Sequence, residues 1–346
     1  MENFRLWWDY IWGIVGDFLL NAETPGHKLL LMVLAIALFV VVMGGILVAV
    51  DRPKNVPSWL VTAAFAGPAL IALAFGLVYP ALRTAYQSFF NRNGQNFVGL
   101  DNYATAFTEP AFQTVLRNTA MWVLLVPLLA TFIGLVYAVV VDRTRFEKIA
   151  KALVFLPMAI SLVGASIIWR FVYEYRDPGS EGQRQQTGLL NQLLIGLGFD
   201  PQQFLLDQPW NNLFLIAVLI WIQAGFAMTI LSAAIRAIPD DIIEAARLDG
   251  LKGLQMFRYI TVPSIRPALV VVLTTIAMTT LKVFDIVRTM TGGQFGTSVV
   301  ANEFYQQSFV QGNAGMGAAL AVILFIIVIP VVIYNVRQLR LSEEIR

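Results

Sequence analysis

Long apolar runs alternate with short polar stretches along most of the chain. A helix needs about 20 apolar residues to cross a hydrocarbon core of about 30 Å. Seven stretches approach or exceed that length: 29–50, 60–82, 119–141, 153–175, 212–235, 267–290 and 316–336. Barrel strands would be about half as long and would alternate residue by residue. The pattern therefore predicts an all-α membrane protein, a polytopic bundle of about seven transmembrane helices. Pro68, Pro127, Pro157 and Pro330 fall inside the runs, where membrane helices tolerate proline and often kink. Residues 4–20 pattern differently. Polar or small residues at 5, 9, 13, 16 and 17 form one stripe, opposite Trp7, Trp8, Ile11, Ile14, Val15 and Phe18. Such a helix lies in the membrane interface; the alternative is an eighth span.

Charge sets the orientation. Only 13% of residues are charged and 58% are hydrophobic, against about 25% charged in soluble proteins. Lys and Arg concentrate in 51–59, 142–152, 236–266 and the tail 337–346, and thin out in 83–118, 176–211 and 291–315. The positive-inside rule then places loop 236–266 and the C-terminus in the cytoplasm. The N-terminus falls outside if the spans number seven. The absence of cysteine and the single histidine, His27, exclude a disulfide and argue against a Cys/His metal site. No secretory signal is evident, because Glu2, Asp9 and Asp17 replace a basic leader. In the outer segments, a short helix is expected around 101–117.

Loop 236–266 carries the densest polar chemistry. Pro239 ends one helix, Asp240 or Asp241 is placed to cap the next, and Asp241 with Glu244 has capping-box spacing. Gly250 is a natural stop. The expected product is a surface helix of about nine residues. Inside the spans, Gln223 and Phe226 lie one turn apart, while Thr279, Thr280 and Val283 are expected to share a face. Polar groups at such depth are costly: they either bond neighbouring helices or serve function. Lys282, Asp285 and Arg288 are spaced i, i+3, i+6, which suits mutual pairing or a polar gate. Arg170 and Glu174 have the spacing of a structural pair.

The spacing in the loop is more specific than a capped connector requires. AIPDDIIEAARLDG (237–250), followed after nine intervening residues by Ile260-Thr-Val-Pro263, resembles the EAA loop of binding-protein-dependent ABC sugar importer permeases. Val262 departs mildly from that family's Ile-x-Leu-Pro ending. FVGLDNYATAF (97–107) is similar to an outer loop of sugar permeases. FDIVRTMTGG (284–293) resembles the segment that closes the span after the EAA loop, with Gln294 and Phe295 standing where the family has Gly and Pro. The extra N-terminal span and PWNNLFLIAVLIWIQAGFAMTILSAAI (209–235) resemble most closely the alpha-glucoside permeases related to the larger maltose permease subunit. The resemblance covers roughly 60–340. It divides the chain into an N-terminal interfacial helix and extra span (1–58) and a six-helix type I importer permease core (59–346).

What the resemblance implies is a permease subunit of an ATP-driven importer of alpha-glucosides or oligosaccharides, in the bacterial inner membrane. The chain has no G-x-x-x-x-G-K-[ST] and therefore no phosphate-binding loop of its own. It is expected not to be an enzyme and to hold no cofactor, with ATP and magnesium on partner subunits. The implied partners are a second permease, two ATP-binding subunits, an extracytoplasmic solute-binding protein, the lipid bilayer and the sugar; no nucleic acid is involved. Glu244, Ala245, Ala246, Arg247, Leu248 and Gly250 would couple to the ATPase. Gln223, Phe226, Thr279, Thr280 and Val283 would line the sugar path, since hydroxyls want hydrogen bonds and a sugar ring's CH face wants an aromatic surface. The alternative is a proton-coupled secondary sugar transporter working through Asp285.

Overall fold

The computed structural model describes residues 24–51, 57–142, 144–176 and 186–344. The stretch at 4–20 lies outside the described residues. The chain divides into two compact units, Met1–Leu82 and Arg83–Arg346.

The first unit is helical throughout its described part. α1 spans Pro25–Asp51 and α2 spans Ser58–Leu73; a π-turn at Ala74–Val78 leads into α3, Tyr79–Gln87, which crosses the unit boundary. Leu29, Leu38, Phe39 and Val41 of α1 and Leu70, Phe75 and Leu77 beyond it are all exposed. Apolar side chains on every side of a long helix identify a lipid-facing span.

In the second unit, α4 (Asp101–Thr108) and α5 (Pro110–Val141) replace the single outer helix expected over 101–117. Glu109 is extended between them and Pro110 takes the first position of α5, where a missing N–H costs nothing. The predicted span at 119–141 thus begins nine residues earlier than its apolar run. α6 (Glu147–Phe155), α7 (Leu162–Val172), α8 (Leu189–Gly196) and α9 (Asn211–Arg236) follow. The predicted helix at 153–175 is broken: the axis turns by 103° between Ala159 and Leu162. Pro157 sits in a 3-10 turn, and Ser161 restarts the helix by accepting the Gly164 N–H at 3.0 Å.

α10 (Asp240–Leu248), the bent segment α11 (Leu254–Ser264), α12 (Arg266–Leu281), α13 (Asp285–Met290), α14 (Val300–Tyr305) and α15 (Ala314–Glu344) complete the unit. The predicted helix at 267–290 also stops early. Lys282 lies past the end of α12, and Phe284 leaves the helical region before α13 begins. Among the described residues, five helices are long and apolar enough to cross a membrane, or seven if each bent pair is one span. The only bridge among them is the isolated Phe90–Phe97 contact.

The core is the crossing of α5 and α9. Trp122, Val126 and Ala130 of α5 and Leu215, Leu219, Ala227 and Leu231 of α9 are fully buried. Gly134 allows the close approach, because a Cβ there would lie 2.5 Å from that of Ala227. Small residues at such crossings let backbones meet where lipid offers no hydrophobic drive for association.

Candidate functional site: the coupling helix and the opposite cavities

α10 is held by its own backbone. Its N-cap is Pro239, so Asp240 and Asp241 fall inside the first turn. The expected capping box is therefore not formed: the restricted φ of proline already ends the preceding segment, and the two acids act on the helix dipole instead. The C-terminus closes as a Schellman motif. Leu251 N–H donates to Ala246 O and Gly250 N–H to Arg247 O, both at 3.0 Å, with Gly250 at φ +84°.

Only Ala246 of the predicted coupling residues is buried, and α10 rests on the Phe257–Thr261 segment of α11. Glu244, Ala245, Arg247 and Gly250 are exposed, and Leu248 is 89% exposed. Glu244, Arg247 and Leu248 share a side by their i, i+3, i+4 spacing. A cavity of about 550 Å³ beside the helix is lined by Arg247, Leu251, Lys252, Met256 and Phe257. Just upstream, Arg236 pairs with Asp142 at 3.1 Å and with Glu147, while Lys151 bonds Glu147 at 2.7 Å and also Ser232. These charges tie the ends of α5, α6 and α9 together where α10 departs.

The predicted path residues separate by burial. Gln223 is 9% exposed, and its amide meets no hydrogen-bond partner among the described residues. Phe226 is half-buried against the core. Thr280 and Val283 are buried while Thr279 is exposed, so the expected common face does not exist. Neighbouring positions on a helix point about 100° apart, and α12 has ended before Val283. Both threonine hydroxyls donate to their own helix, Thr280 to Ile276 O at 2.7 Å and Thr279 to Thr275 O at 3.0 Å.

The charged ladder is corrected for the same reason. Lys282 is outside any helix, and no ion pair joins it, Asp285 and Arg288 among the described residues. Arg288 instead donates to Gln306 Oε1 at 3.3 Å and stands 4.9 Å from the centre of the Tyr305 ring. Nor do Arg170 and Glu174 pair. Glu174 binds Arg176 at 3.4 Å and accepts from the Thr187 hydroxyl at 2.8 Å; the end of α7 at Val172 puts Glu174 off the helix that the spacing assumed.

The bundle end opposite α10 holds what the linear pattern did not expose. α9 has 26 residues, about 39 Å at 1.5 Å each, so the turn at 291–299 and the coupling helix sit at opposite ends. Asn118 donates to Gly296 O (2.7 Å) and Ser298 O (3.0 Å), Asn211 to Phe295 O (2.8 Å), and Asn212 to Gly296 O (3.2 Å). Thr119 accepts the Val300 N–H at 2.9 Å. Side chains from α5 and α9 thereby fix a turn in which Phe295 holds φ +55°. The visible signal was the Asn pair at the head of a very apolar helix. Beside this turn lie cavities of about 790 and 520 Å³.

Residues 103–340 match the family of binding-protein-dependent transport system inner membrane components. The chain belongs to that family. It is a multi-pass permease subunit of an ABC importer, and the proton-driven alternative is not favoured. The family is one of membrane transport subunits rather than of enzymes. The osmoprotective compounds uptake permease protein GgtC of Synechocystis sp. is 48% identical over 279 residues, covering 81% of this permease and 99% of that one. The alpha-glucoside transport system permease protein AglF of Rhizobium meliloti is 48% identical over 286 residues, covering 82% and 83%. The permease fold is shared with a chain of a bacterial ABC transporter involved in import of the acidic polysaccharide alginate, at TM-score 0.69 and 23% identity, over 82% of this permease and 95% of that chain.

Proposed function

We propose that this permease imports an alpha-glucoside or a closely related glycoside, forming half of the translocation path with a second permease. Two ATP-binding subunits dock on the cytoplasmic side and hold the ATP and magnesium; an extracytoplasmic solute-binding protein delivers the sugar from the opposite side. The likeness to an alpha-glucoside permease across four-fifths of both chains supports the substrate class. Basic residues gathered in 236–266 and the tail support a cytoplasmic α10.

The observation that carries the coupling role is α10 itself: started by Pro239, closed at its C-terminus by its own backbone, with one small residue buried and a leucine almost wholly exposed. A helix so built can sit in a groove of another subunit and move as a rigid piece. Glu244 pairs with a basic group of the ATPase, Arg247 adds charge, Leu248 fills an apolar pocket, Ala245 permits close approach, and Gly250 turns the chain away. ATP-driven closure of the motor pulls α10, and Arg236 with its acidic partners passes the movement to the ends of α5 and α6. Gln223, whose amide is without a protein partner among the described residues, binds a sugar hydroxyl beside Phe226; Thr279, Thr280 and Val283 border the path on α12 and just past it, the two hydroxyls there serving as acceptors.

The test is Glu244→Ala in the assembled importer. Co-purification of the ATPase and sugar uptake should fall together. Uptake at the normal level without bound ATPase would refute the coupling role.

A further inference from the structure

We propose that the cavity of about 790 Å³ at the end of the bundle opposite α10 is a second glycoside-binding subsite, separate from the path at Gln223 and Phe226. This rests on the sugar reading above and adds a place where the substrate pauses before it enters the bundle.

The volume falls within the range of about 300–1,000 Å³ typical of small-molecule sites. Three separate stretches build the walls: the end of α7 with the residues after it, residues 203–206, and residues 288–295. Tyr173, Phe204 and Phe214 back it as an aromatic cluster, two pairs edge-on and one tilted, with ring centres 4.8–5.7 Å apart. None of Gln223, Phe226, Thr279, Thr280 and Val283 reaches it.

Its chemistry suits a polyol. Arg170, Arg288, Gln203 and Gln294 line it with donors, and Glu174 and the two glutamine carbonyls supply acceptors. Among the described residues, the side chains of Arg170, Gln203 and Gln294 make no hydrogen bond. Arg288 spends one of its N–H groups on Gln306 and meets no carboxylate within ion-pairing distance among them. A guanidinium carries five donors, so several remain for hydroxyl oxygens. Tyr305 and Gln306 hold the group in place before any ligand arrives.

Phe295 completes the site. Its left-handed backbone is rare for a bulky residue, and such conformations persist where surrounding contacts impose them, often at binding sites. Here Asn211 imposes it through the Phe295 carbonyl. The result is an aromatic residue, 44% exposed, at the edge of a cavity whose walls combine these polar groups with apolar side chains. Arg288 and Gln294 also line the neighbouring cavity of about 520 Å³, so a glycoside of two rings can lie across both.

The test uses the whole importer in nanodiscs without its binding protein, and radiolabelled maltose, sucrose and trehalose as probes. The wild type should bind two sugars per complex. Gln223→Ala should leave one, and adding Arg288→Gln should weaken that one at least tenfold, since a hydrogen bond to a charged group is among the stronger kinds. Gln203→Ala, in a loop outside the helices, should weaken it severalfold with assembly and ATP hydrolysis intact. Residual binding untouched by both outer variants, or one sugar per wild-type complex, overturns the subsite while leaving the sugar reading in place. If none of the probes is bound or imported, the sugar reading falls and the subsite falls with it.

Discussion

The two polar ends of the bundle are built in opposite ways. The coupling helix closes its C-terminus with its own backbone and presents Glu244, Arg247 and Leu248 outward. The turn at 291–299 is fixed by three asparagines and a threonine reaching from α5 and α9. The first is a detachable handle; the second is bolted to the core. The difference teaches how a stroke can be passed on without loosening the far end. A part that must move as a unit needs local closure, whereas a part that must hold a shape against the substrate needs side chains from the rigid crossing behind it.

The comparison breaks most sharply at Asn118. Asn118→Ala removes both bonds to the turn, leaving the Ser298 carbonyl without its side-chain donor and the Gly296 carbonyl with only the longer bond from Asn212. Thermal unfolding of the purified complex should show a loss of about 2–4 kcal/mol, from about 1–3 kcal/mol for the unsatisfied Ser298 group and about 0.5–1.5 kcal/mol for the bond lost at Gly296. ATPase docking should be unchanged, because α10 sits at the other end.

A smaller effect, with the opposite division, is expected of Leu248→Ala. Burying a leucine against a partner contributes about 1.5–3 kcal/mol, so titration of the ATPase against the permease should show at least a tenfold weaker association. The unfolding midpoint of the free permease should not move, since Leu248 is 89% exposed there. The smallest effect is assigned to Gly250→Ala. A left-handed alanine costs about 1–2 kcal/mol, some of it relieved by fraying of the last turn. Uptake should drop severalfold, and hydrogen exchange should rise over 246–251 and nowhere in α5 or α9. Faster exchange spread into α9 would show that the handle is not separable from the core.

Much of this was readable in the chain before its structure was known, and the reason is locality. α10 depends on signals within a dozen residues: proline before it, acids in its first turn, glycine after it. Hydropathy likewise marks where helices run, as in α5 and α9. It does not mark where they bend, because Pro157 and Ser161 alter direction without altering composition, and α12 stops at Leu281 although only Lys282 interrupts the run before Val283 and Phe284. The capping box failed for a related reason. Its spacing was right, but Pro239 had taken the cap. The outer cavity was not legible at all, since its walls come from stretches that meet only in three dimensions.

The handle is tested most directly by cross-linking. The chain has no cysteine, so Leu248→Cys places a single thiol on the exposed side of α10. Paired with cysteines scanned around the groove of the ATPase subunit, it should form a cross-link whose yield changes when ATP is added. A fully assembled, transporting complex that gives no cross-link to the ATPase from this position, with or without nucleotide, would contradict the account.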